Sequence, residues 1–86
     1  MPVDMEGQAR AALENLKRSL AAVGAGFADV VTANRFVTDL SGQDALNRVW
    51  GEYFGDSKPT TTTVQVVRLA TDPRCLIEVN AVAVID

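Results

Sequence analysis

The stretch that decides the fold is PTTTTVQVVRLATDPRCLIEVNAVAVID, which spans residues 59–86. Its β-branched and alternating residues predict two strands, Thr62–Ala70 and Cys75–Ile85. The segment between them, Thr71-Asp72-Pro73-Arg74, contains turn-forming residues, so we expect the two strands to pair as a hairpin. Both faces of the last strand carry apolar residues, which predicts helices on one face and another chain on the other.

The residues upstream predict two helices and one more strand. Asp4 can cap a first helix that begins near Met5 and ends before Gly24. A strand over Val31–Thr38 follows, and Ser41 is a plausible N-cap for a second helix. The order α-β-α-β-β predicts one α+β domain over residues 1–86, with a mixed sheet backed by two helices on one face.

Composition excludes several classes of function. The chain has 86 residues, with 11 acidic and 8 basic side chains and a net charge of −3, and its scattered cations disfavour a nucleic-acid partner. It contains no histidine and one cysteine, so a zinc site and the usual histidine-dependent nucleophile pairs have no residues to build them within one chain. We expect no metal and no cofactor. No apolar run reaches membrane-spanning length, so we expect a cytoplasmic protein with no membrane partner.

Arg35 is a cation in the middle of a predicted strand, where it shares one face with Val31, Ala33 and Val37. Two interpretations stay open. In the first, the side chain is exposed or faces an interface, and its stem packs on neighbouring residues. In the second, Arg35 binds an anion.

Three segments together carry a family resemblance. They are QARAALENLKRSLAAVGAGFADVV, FVTDL followed by LNRVWGEYF, and PTTTTVQVVRL followed by LIEVNAVAVI. These segments resemble the RidA/YjgF family of enamine/imine deaminases, also called endoribonuclease L-PSP. The resemblance implies a chorismate-mutase-like fold and a homotrimer. It also implies clefts between subunits that accept a small organic acid or an imine.

The chain departs from the family pattern at two points. The family domain begins with a β-hairpin, whereas this chain starts at the first helix. The family motif Pro-x-Arg-Ser-x-Val becomes Pro59-Thr60-Thr61-Thr62-Thr63-Val64, which leaves Thr61 where an arginine grips the substrate carboxylate. In the same way, Asn80 stands where the resemblance implies a glutamate of the cleft. The family match assigns Asn47, Thr61, Thr63 and Asn80 to ligand-binding positions, and no residue to a catalytic role.

Three functions follow from these residues. The first is a trimeric small-molecule-binding or assembly protein that lacks the standard deaminase arginine. The second is an active enamine or imine deaminase in which a relocated cation, Arg35, holds the substrate. The third is an RNA-cleaving protein, which the acidic balance and the lack of histidine disfavour.

Overall fold

The computed structural model describes residues 2–85, and its elements follow the predicted order. Helix α1 spans Met5–Ala22, strand β1 spans Val30–Val37 and helix α2 spans Gln43–Phe54. Strand β2 spans Thr60–Gln65 and strand β3 spans Ile77–Ala83. The α+β architecture, with both helices packed on one face of a mixed sheet, is confirmed.

The sheet has the strand order β2-β1-β3, which places β1 in the centre. Strand β1 runs parallel to β2, with Arg35 opposite Thr63, and antiparallel to β3, with Arg35 opposite Val79. The predicted hairpin between the last two strands is wrong, because β1 separates them. Each outer strand gains a full ladder of hydrogen bonds from the central strand.

Residues 66–76 connect β2 to β3 as irregular chain, so both strands are shorter than predicted. Asp72 organises this connection with local hydrogen bonds. Its carbonyl accepts from the Cys75 amide at 3.0 Å, and its carboxylate accepts from the Arg74 amide at 2.8 Å. The predicted turn residues do form a turn, but this turn joins strands on opposite sides of β1.

The helix starts follow the capping rules with one correction. The Asp4 carboxylate accepts a hydrogen bond from the Gly7 amide at 2.9 Å and caps α1 as predicted. Ser41 does not cap α2, because Leu40–Gly42 forms a short 3₁₀ turn and Gly42 takes the N-cap position. The start of this turn is capped by Asp39 instead.

The core lies between the helices and the inner face of the sheet. Leu13 of α1 and Leu46 of α2 are fully buried against Ala33 and Val37 of β1. The pairing register shifts between Val30 and Thr32, so Val30, and not Val31 as the alternation predicts, lies on the same face as Arg35. The inner face of β1 therefore contributes Val30, Ala33, Arg35 and Val37.

The opposite face of the sheet, which we call the outer face, carries no helix. It consists of alternate residues of the three strands: Thr32, Asn34 and Phe36 of β1, Thr60, Thr62 and Val64 of β2, and Glu78, Asn80 and Val82 of β3. Val82 is 56% exposed and Val64 is 43% exposed.

Within residues 2–85, neither helix has the length and apolar character that crossing a membrane requires.

Candidate ligand-binding site

Arg35 lies on the inner face of the central strand and is only 5% exposed. The interpretation of Arg35 as an exposed side chain is therefore wrong. Side chains of a strand alternate between its two faces, so the burial of Ala33 and Val37 turns Arg35 toward the helices as well. The register of the sheet thus places the cationic side chain of Arg35 in the interior.

Three neighbours hold the guanidinium of Arg35. Its Nε donates a hydrogen bond to Thr63 Oγ1 at 2.8 Å, and its Nη1 donates to Asn47 Oδ1 at 2.8 Å. The guanidinium carbon lies 5.0 Å from the centre of the Trp50 ring, a cation–π distance. These contacts come from β2 and α2, so the arginine is oriented by both of the elements that flank it.

The guanidinium keeps unused donors. Arg35 carries five N–H groups, and its two hydrogen bonds leave Nη2 and one N–H of Nη1 without a partner among residues 2–85. No fully buried side-chain nitrogen or oxygen of this part of the chain lacks a partner, so Nη2 is open to the adjoining space. The unused N–H groups of these two nitrogens, which we call the fork of Arg35, can donate to a carboxylate.

The space next to this fork is a cleft of about 350 Å³. Arg35 lines it from β1, and α2 contributes Asn47 and Trp50. The loop before β2 contributes Lys58 and Pro59, and β2 contributes Thr61. The volume falls at the lower end of the range for small-molecule sites.

The cleft is electropositive. Arg35 and Lys58 line it, and none of the carboxylates within residues 2–85 does. None of the ion pairs that residues 2–85 form involves either cation. Burial lowers the pKa of Arg35, because desolvation disfavours the charged form, yet an arginine starts so high that it stays protonated. A buried cation without a counterion is costly, and a bound anion would offset that cost.

Thr61 contributes little to anion binding. Its hydroxyl donates to the Pro59 carbonyl at 3.0 Å, which leaves the oxygen only as an acceptor toward the cleft. Asn47 is different, because its Oδ1 faces Arg35 and its Nδ2 has no partner within residues 2–85. The amide nitrogen of Asn47 is therefore a further donor for a bound anion.

The structure brings together four of the five residues singled out from the sequence. Arg35, Asn47 and Thr63 form one hydrogen-bonded set, and Thr61 lines the same cleft. Asn80 lies apart from them on the outer face, where its Oδ1 accepts a hydrogen bond from Asn34 Nδ2 at 2.9 Å. Within one chain Asn80 does not line the Arg35 cleft, because its strand neighbours Val79 and Ala81 take the inner positions, and its assignment to a ligand-binding position stays a prediction.

Sequence reasoning did not single out three residues that line the cleft, Trp50, Lys58 and Pro59. Trp50 is buried in the core, and its ring also forms a wall of the cleft next to Arg35. Lys58 lies in a loop without periodicity, and its ammonium donates to the Gly55 carbonyl at 2.8 Å. The only sequence signal that could have indicated a role for Lys58 in the cleft was its position directly before Pro59 and β2.

Residues 2–85 contain no group of histidine, cysteine or acidic side chains arranged to hold a metal ion.

Comparisons with known proteins identify relatives along the whole chain. The family model described as Endoribonuclease L-PSP matches residues 1–85. A RutC family protein of Pyrococcus horikoshii is 40% identical over 80 residues, which cover 93% of this chain and 62% of that protein. The Escherichia coli protein named "putative reactive intermediate deaminase TdcF" is 36% identical over 87 residues, which cover 98% of this chain and 66% of that protein. The chain thus spans 61–62% of the length of its Pyrococcus relatives.

Solved structures agree with the sequence matches. A YjgF/YER057c/UK114 family member from Mycobacterium tuberculosis superposes with a TM-score of 0.94 at 34% identity, covering 99% of this chain and 71% of the other. Escherichia coli TdcF, solved with bound serine, superposes with a TM-score of 0.91 at 35% identity, covering 100% of this chain and 68% of the other. With a family model matched over almost its full length and these folds superposed on it, the chain belongs to the RidA/YjgF family.

Proposed function

We propose that this domain binds a small organic acid and that Arg35 holds the carboxylate. The observation that carries the proposal is an arginine that is 5% exposed, has no ionic partner among residues 2–85 and lines an open cleft. The resemblance implies an arginine at the position of Thr61, and Arg35 lines the same cleft from the neighbouring strand. In this proposal Arg35 supplies the positive charge that the resemblance implies at position 61, and it does so from a different position in the sequence.

The donors of the cleft suit a planar carboxylate. The fork of Arg35 offers unused N–H groups on Nη1 and Nη2, and Asn47 Nδ2 adds a further donor. Trp50 provides an apolar wall against which the carbon skeleton of a ligand can pack. Escherichia coli TdcF has been solved with bound serine, a small amino acid that carries a carboxylate.

Deamination of enamines or imines is the second candidate, and the name of the TdcF relative favours it. In this reaction water adds to the imine carbon, the carbon–nitrogen bond breaks, and ammonia and a 2-oxo acid leave. Arg35 would hold the carboxylate of the substrate and orient its imine carbon toward the open side of the cleft. RNA cleavage has less support, because the cleft is small and the chain has no histidine for acid–base work.

A homotrimer with clefts between its subunits belongs to this proposal, as does a cytoplasmic location. The resemblance implies the trimer, and the uncovered outer face of the sheet supports an assembly of this kind. A neighbouring subunit could then add side chains to the open side of the Arg35 cleft. Those side chains would supply the acid–base groups that the single chain does not bring to the cleft.

Replacement of Arg35 by methionine tests the binding proposal. Trp50 is the only tryptophan and lines the cleft, so its fluorescence can follow a titration with butyrate. We expect Arg35→Met to weaken butyrate binding at least tenfold while the free energy of unfolding stays equal or rises by about 1–2 kcal/mol, because a buried unpaired cation is removed. The control is Arg18→Met, which removes an exposed arginine of α1. Unchanged binding in Arg35→Met would refute the proposal.

A coupled assay separates binding from deamination. An amino-acid oxidase generates imines from amino acids, and the release of ammonia is followed with and without this protein. Acceleration in the wild type that is absent in Arg35→Met would establish deamination with Arg35 as the carboxylate clamp. Butyrate binding without acceleration would leave the domain a binding protein.

A further inference from the structure

A second cation lies in the same cleft as Arg35, and carboxylate binding at Arg35 does not account for it. Lys58 lines the cleft from the loop before β2, and its ammonium is held by the Gly55 carbonyl. A lysine ammonium has three donors, so the bond to Gly55 leaves two of them for a ligand. No acidic side chain of residues 2–85 pairs with Lys58.

The two cations that line the cleft belong to different segments. Arg35 lies in β1 opposite Thr63, whereas Lys58 lies in the loop before β2, five positions before Thr63. The two positive charges therefore belong to separate groups on long side chains.

We propose that the ligand is a dicarboxylate, with one carboxylate on the fork of Arg35 and the second near Lys58. This inference rests on the proposed function and adds the class of ligand. One carboxylate would neutralise one of the two cations and leave the other without a partner. A phosphate or sulfate carries its charge on one compact group, whereas a dicarboxylate offers a separate acid to each of the two cations.

Matched pairs of acids test this inference through the fluorescence of Trp50. Succinate is compared with butyrate and glutarate with valerate, at constant ionic strength because surface electrostatics are screened by salt. We expect at least one of the two dicarboxylates to bind about three- to tenfold more tightly than its monocarboxylate partner. Inorganic phosphate and sulfate should bind no more tightly than butyrate. Equal affinities within both pairs, or tightest binding of phosphate or sulfate, would overturn the inference.

The Lys58→Met variant tests whether Lys58 binds the second carboxylate of the ligand. Lys58 is exposed, so the substitution should leave the fold intact, which a thermal melt checks. We expect the affinity for the dicarboxylate to fall more than the affinity for butyrate, so that the preference for the dicarboxylate disappears. Lys17→Met, which removes an exposed lysine of α1, should change neither affinity. A preference that survives in Lys58→Met, or an equal loss for both members of a pair, would contradict the role of Lys58.

The outcome also distinguishes the two proposals. If butyrate binds the wild type and requires Arg35, but dicarboxylates gain nothing, only the dicarboxylate inference fails. If no carboxylate binds the wild type, the proposed function fails as well.

Discussion

At the scale of single residues, Asn47 is a neutral hydrogen-bond partner of Arg35 and therefore leaves the positive charge of Arg35 unpaired. Asn47 Oδ1 accepts a hydrogen bond from Arg35 Nη1, so Asn47→Asp would replace a neutral acceptor by a carboxylate at almost the same place. The built-in carboxylate would compete with any bound anion. We expect butyrate binding to fall at least tenfold and the free energy of unfolding to rise by about 1 kcal/mol, because the hydrogen bond becomes charge-assisted. Fluorescence titration and urea unfolding measure the two effects.

Asn15→Asp is the matched control for this prediction. Asn15 also accepts a hydrogen bond from an arginine, Arg18, but the pair is exposed on α1 and outside the Arg35 cleft. The control should leave butyrate binding unchanged. If Asn47→Asp binds butyrate as well as the wild type does, the anion does not bind at the Arg35 fork.

At the scale of elements, the side chain of Gln8 in α1 forms hydrogen bonds with the backbone just before β3. Its side chain is 7% exposed, its Nε2 donates to the Arg74 carbonyl at 2.9 Å, and its Oε1 accepts from the Leu76 amide at 2.6 Å. Gln8→Leu has a similar volume but leaves these two backbone groups without partners. We expect the free energy of unfolding to fall by about 2–3 kcal/mol, since each unsatisfied buried group costs about 1–3 kcal/mol. Urea unfolding measures the loss.

Gln65→Leu provides the comparison at the end of β2. Gln65 accepts one hydrogen bond, from the Leu40 amide, and its side chain is exposed, so water can replace it. We expect this control to lose less than about 1 kcal/mol. Equal small losses in both variants would mean that other contacts hold the connection before β3.

At the scale of the whole molecule, the outer face of the sheet is the surface through which we expect the chain to associate. Val82 lies on that face and is 56% exposed, whereas Val67 lies in the connection after β2 and is 99% exposed. A charge buried in an interface without a partner costs several kcal/mol. Val82→Asp should therefore shift the proposed trimer to monomers at micromolar concentration, while Val67→Asp should not. Light scattering measures the mass; a wild type that is monomeric throughout would refute the assembly.

Much of the architecture was predictable because it depends on local patterns. The apolar spacing of α1 and the carboxylate of Asp4 together indicate where the first helix begins, and both act within one or two turns of chain. The order of helices and strands follows from the same kind of signal. The partners of the strands do not, because β2 and β3 are adjacent in the sequence while their hydrogen bonds go to β1. Pairing depends on contacts between distant segments, which periodicity does not encode.

Some features of the candidate site could likewise be predicted from the sequence, and others required the tertiary structure. The order of amino acids was enough to indicate the family, the loss of arginine at position 61 and the presence of an odd cation at position 35. The packing of distant segments was needed to show that Arg35 faces inward, that Asn47, Thr63 and Trp50 surround it, and that Asn80 lies on the other side of the sheet. The physical reason is the two-residue period of a strand. Once Val37 is buried in the core, Arg35 and Ala33 follow it inward, whatever their charge, until the register shifts between Thr32 and Val30.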